Sequence, residues 1–94
     1  MLKISRSSVP GQVTLRVAGR VAGEWAGELQ RAYWLARAEH GRVDVDFTDV
    51  VFVERAGATV IRMLVNQGMP LINCSPFITE QLKQASNEND AAGG

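Results

Sequence analysis

Apolar and polar residues alternate through Val13–Ala18, with Val13, Leu15 and Val17 set against Thr14, Arg16 and Ala18. That alternation marks a half-buried strand. Leu2–Ser5 reads as a short edge strand before it, and Ser7–Gln12, SSVPGQ, is a turn signal because Pro-Gly favours a reversal. The two segments therefore form a hairpin. Gly19–Gly23 reads as a loop, and a helix follows over about Glu24 to Glu39. Trp25, Leu29, Ala32 and Ala36 recur at helical spacing on one stripe of it, and Gly41 after His40 ends it. Glu28 and Arg31 lie off that stripe, as solvated charges do.

Alternation returns at Val43, Val45 and Phe47 against Asp44, Asp46 and Thr48, and Val50–Val53 then runs apolar. Thr48-Asp49 reads as a turn in or beside this strand. The pattern switches to helical spacing over Ala56–Gln67, where Ile61, Leu64 and Val65, with Gly57 and Ala58 a turn earlier, form the buried face. Gly68 stops this helix in a left-handed conformation. Pro70–Asn73 is a short strand. Ser75-Pro76 opens a third helix, with Ser as N-cap and Pro at the first helical position. Phe77, Ile78 and Leu82 supply its apolar contacts.

The order is β-β-α-β-α-β-α, and crossovers of this length imply parallel neighbours. The expected fold is α/β: a small mixed, mostly parallel sheet flanked by helices. Residues 1–85 form one domain, and residues 86–94, polar and small, form a disordered tail. Trp34 stands apart. It lies nine positions after Trp25 and so on the opposite face of the first helix. It either packs beside Tyr33 on a second apolar strip or forms a partner or dimer surface, as exposed aromatics do.

Composition narrows the function classes. The chain has 94 residues, with ten cationic and ten anionic side chains in balance. A nucleic-acid partner calls for a basic excess, which this chain lacks. No apolar run approaches the roughly 20 residues of a membrane helix, and the N-terminal residues lack the apolar core of a secretory signal, so a cytoplasmic location is expected. The single cysteine, Cys74, closes no internal disulfide.

Enzyme signatures are poor. His40 is the only histidine and stands at a helix C-terminus, where it complements the dipole. Cys74 ends a strand and reads as a small buried hydrophobe. Asp44 and Asp46 share one strand face, without a third ligand in loop geometry to complete a metal site. No phosphate-loop or dinucleotide fingerprint occurs. No catalytic residue, cofactor or metal is expected.

The handover from strand to helix within Val43–Ile61 is different. The first amides of the second helix lack intrahelical acceptors, small residues allow close approach, and Arg55 and Arg62 add positive charge. The alternative is that Glu54 merely caps the helix and Gly57 lets it pack on the sheet.

These residues carry a resemblance. STAS domains (sulphate transporter and anti-sigma factor antagonist) have a strand reading hydrophobic-hydrophobic-Asp-Leu-Ser-x-Val-x-Phe-Ile-Asp-Ser-Ser-Gly-Leu that runs into a helix. Val45-Asp46-Phe47-Thr48-Asp49-Val50-Val51-Phe52-Val53-Glu54-Arg55-Ala56-Gly57-Ala58 is similar to it. Upstream, Leu15–Val17, Gly19-Arg20-Val21 and Leu29 resemble the family's strand, turn and first-helix leucine. Downstream, Pro70–Cys74 and Ser75-Pro76 resemble its later strand and helix start. The likeness covers about Leu2 to Leu82.

The resemblance implies a non-enzymatic protein-interaction module, related to anti-sigma factor antagonists, that docks through Glu54, Arg55, Ala56, Gly57, Ala58, Thr59 and Arg62. In the antagonists the second Ser of the motif is phosphorylated by a partner kinase that doubles as an anti-sigma factor. Ala56 stands at that position and offers no hydroxyl. The phospho-switch is therefore lost there; Thr59, one turn on, is the alternative acceptor whose phosphorylation would overturn that loss. Two protein partners are implied: an anti-sigma factor/serine kinase of bacterial signalling, or the ATPase of a lipid-transport ABC complex, whose small STAS-like subunits act without the switch. A nucleotide- or small-molecule-binding sensor using the same helix start is the reading from another class. The chain also lacks a clear fifth strand and final helix, leaving the sheet edge near the third helix open to association, including a homodimer.

Overall fold

Pro10 and Gly11 alone connect the first two strands, because Pro fixes the entry to the turn and Gly11 takes φ 82°. The strands β1 (Leu2–Val9) and β2 (Gln12–Val21) pair antiparallel from Val9↔Gln12 to Leu2↔Gly19. Both outrun the sequence expectation. Ser7 and Ser8 extend β1 instead of joining the turn, and Gly19–Val21, expected as loop, extends β2. Val21 is fully buried and pairs with Val53, so the ladder outweighs the local loop signal, while Gly19 absorbs a register shift at φ 101°. The remaining elements are α1 (Gly23–His40), β3 (Val43–Val53), α2 (Arg55–Asn66), β4 (Leu71–Ile72) and α3 (Pro76–Gly93). This computed structural model describes the backbone of residues 2–93 and the side chains of residues 2–84. The expected tail over 86–94 lies outside the residues whose side chains are described.

The chain is an α/β fold with a four-stranded sheet in the order β1-β2-β3-β4. β2, β3 and β4 run parallel. Both crossovers step the same way along the sheet, so right-handed connections carry α1 and α2 to one face. There α1 packs on α2, and α2 on α3. Val13, Leu15, Val17, Val43, Val45 and Phe47 meet Leu29, Ile61, Leu64 and Ile78 in a single core. The expected break at Thr48-Asp49 is a bulge inside a continuous β3, where the register against β2 shifts.

Two helix faces differ from expectation. The buried stripe of α1 is Ala26, Leu29, Tyr33 and Ala36, not the Trp25 stripe. Trp25 lies in the first turn and stays 37% exposed, while Ala26 beside it is buried. Tyr33 replaces it: its ring is buried, and its hydroxyl accepts a hydrogen bond from Arg37 Nη1 at 3.3 Å. On α3, Ile78 and Leu82 enter the core but Phe77 does not. The Ser75 N-cap is as expected, with its Oγ accepting the Ile78 amide at 3.2 Å. β4 is shorter than Pro70–Asn73 because Asn73 turns to φ 57° and leaves the extended region. Cys74 therefore follows the strand, half-buried against the core.

Candidate functional site

β3 delivers the chain to α2 without a loop. Glu54 keeps an extended conformation, φ −75° and ψ 159°, and helical geometry begins at Arg55. The Glu54 amide donates to Val21 O at 2.9 Å, and its carbonyl accepts the Ala58 amide at 2.8 Å. The Glu54 carboxylate does not cap the helix. It turns instead to Arg20 Nε, 3.5 Å away across the end of the sheet.

Gly57 fixes the height of α2 over β2. A Cβ built there would lie 2.5 Å from the Val21 carbonyl oxygen, so the position has no room for a side chain. Gly23 at the start of α1 is similarly close to its neighbour, since a Cβ there would lie 2.9 Å from Ala56 Cβ. The starts of both helices thus meet at the C-terminal end of the parallel strands, the usual location of function in such sheets.

The seven expected docking residues divide into two sets. Arg55, Ala56 and Thr59 are exposed, with Glu54 and Arg62 half-buried beside them. Gly57 and Ala58 are buried and hold the turn in place without reaching its surface. Thr59 Oγ1 donates to Arg55 O at 3.1 Å, a bond within the helix. Trp34 is not brought to this cluster. It lies about 16 Å along α1 from Gly23 at the helical rise per residue, its ring edge-on to Tyr33 at 5.0 Å and facing the Arg37 guanidinium at 5.6 Å.

Residues outside the expected docking set complete the surface. Phe52 and Phe77 approach with centroids 6.4 Å apart, and the Arg20 guanidinium lies 4.8 Å above the Phe52 ring. Phe77 is 58% exposed, so apolar surface remains open beside Phe52. Gln81 of α3 accepts the Val53 amide at 3.0 Å through Oε1. Phe52, Glu54, Arg55, Gln81 and Gln84 line a cleft of about 180 Å³ here. Ligand chambers begin at roughly 300 Å³, so this is a notch in a contact surface.

The opposite face of the sheet is polar and largely self-satisfied. Asp44 and Asp46 share that face, as the alternation indicated. Asp44 Oδ2 accepts from Gln12 at 2.6 Å. Asp46 Oδ1 accepts from the Thr48 amide at 2.8 Å and the Thr48 hydroxyl at 2.6 Å, and Oδ2 from Asn73 at 3.2 Å. Burial alone raises the Asp46 pKa, but the Thr48 and Asn73 hydrogen bonds and the nearby Arg16 charge outweigh it, leaving the pKa below its ordinary value. Among the described residues no group of three or more His, Cys, Asp or Glu side chains is placed to hold a metal ion. His40 ends α1 with Nε2 3.6 Å from Glu39.

No protein-family model matches this chain, and no curated protein matches it in sequence. Among the described residues no helix is long and apolar enough to cross a membrane.

Proposed function

We propose that the chain is a non-enzymatic, STAS-like docking module that holds a protein partner on the surface around the start of α2. One observation carries the reading. An aromatic pair, half-buried Phe52 and exposed Phe77, stands with Arg20 at the notch that Arg55 also lines, next to a turn that Gly57 seats closely on β2. Aromatic and arginine side chains on a rigid support are the usual anchors of protein interfaces. Among the described residues the polar sheet face carries no aromatic side chain of comparable exposure.

The partner is an anti-sigma factor/serine kinase in the antagonist reading, and both proteins act in the cytoplasm. Ala56 favours the second reading, the ATPase of a lipid-transport ABC complex. It occupies an exposed position with only a methyl group, so phosphorylation cannot release the partner there. Affinity capture from the source cell tests the module. The wild-type chain should retain one ATP-binding protein, while Phe77→Ala and Thr59→Arg should each reduce that capture at least about tenfold, as loss of an anchor does. Equal capture by all three proteins would refute docking at this surface.

A further inference from the structure

The end of β3 has neighbours of two kinds. On one side the Glu54 amide bonds to Val21 of β2. On the other side β4 pairs only with Val45 and Asp46, so among the described residues no strand reaches Val53 from that side. Backbone donors alternate between the two edges of a strand, so the Val53 amide points away from β2. A part-buried donor without an acceptor is costly, and a side chain fills the role of the missing strand: Gln81 Oε1 accepts this amide at 3.0 Å.

Gln81 does not act alone on its helix face. Phe77, one turn earlier, packs its ring against Phe52. Gln84, one turn later, lines the notch with Glu54 and Arg55. These residues follow helical spacing and so form one stripe of α3. The stripe runs beside the last residues of β3 and the first of α2.

We propose that Gln81 is the positioning residue of the docking turn: its amide oxygen holds the end of β3 and so fixes where Arg55, Ala56 and Thr59 are presented. α3 thereby becomes a wall of the site, coupled to the turn through one side-chain-to-backbone hydrogen bond. The inference rests on the docking reading for its consequence but not for its geometry. A movement of α3 that breaks this bond releases the turn from one side while Gly57 and the Val21 carbonyl still hold it from the other.

The test uses the full chain and two variants. Gln81→Met keeps length and apolar contact but removes the acceptor. Gln81→Glu restores an acceptor oxygen. Amide hydrogen exchange at Val53 should accelerate at least about tenfold in Gln81→Met and return close to the wild-type rate in Gln81→Glu, with exchange at Val45 unchanged in both. Capture of the partner should fall with the first variant and recover with the second. Unchanged Val53 exchange in Gln81→Met overturns the inference whatever the partner does. Faster exchange with undiminished capture overturns the positioning role. A wild-type chain that captures no partner, with the exchange pattern as expected, refutes the docking reading and leaves the hydrogen bond standing.

Discussion

Gly57 shows how little freedom a single position has. Its Cα lies against the Val21 carbonyl so closely that a methyl group would sit 2.5 Å from the oxygen. Backbone at both ends of that contact cannot yield as a flexible side chain does. Gly57→Val should therefore cost about 3 kcal/mol or more, combining overpacking with a stiff branched side chain. Urea unfolding checks this, and an unshifted midpoint would show that α2 is not seated on β2 as described. Asp46 makes a second residue-scale case. Its pKa is depressed in the folded state, so its contribution to stability is present above the unfolded value, near 3.9, and is lost as pH falls through the lower folded value. Asp46→Asn should flatten the acid limb of the stability curve below about pH 4 and leave the slope near neutrality unchanged. An acid limb identical in the two proteins would remove Asp46 as its source.

At the scale of elements, the two apolar faces of α3 and α1 have separate consequences. Phe77 is exposed on α3, so Phe77→Ala should change stability by less than about 1 kcal/mol while weakening partner capture. Ile78, one residue on, is fully buried, and Ile78→Ala should cost about 2–5 kcal/mol. Comparing thermal unfolding of the two variants checks the assignment of faces; equal losses would contradict it. The sequence could not separate these neighbours, because both are large and apolar and only the helix's docking angle tells them apart. The same limit explains α1. Periodicity located the helix, but the stripes through Trp25 and through Tyr33 share Leu29 and Ala36, and only the packed fold buries Tyr33 and leaves Trp25 out. Element order was legible because alternation at Val13–Val17 and helical spacing at Ile61–Leu64 are strong and local. The extra length of β2 was not, since Gly19–Val21 looks like loop until Val53 is placed beside it.

On the scale of the whole molecule, all core-forming helices lie on one side of the sheet, and the other side carries hydrogen-bonded carboxylates. The Phe52–Phe77 pair stands at the end of the sheet where both helix starts meet. The turn was legible as a candidate site because small residues follow an apolar strand. Its flanking anchors, Arg20, Phe52 and Phe77, come from three elements far apart in sequence and became visible only when the fold brought them together. The central claim is that this end of the molecule, and not its polar face, meets the partner. Photo-crosslinkers placed singly at Thr59 and at Thr14 in the source cell test it most directly. One ATP-binding protein should crosslink from Thr59 and none from Thr14; a partner captured from Thr14 and not from Thr59 would contradict docking at this end.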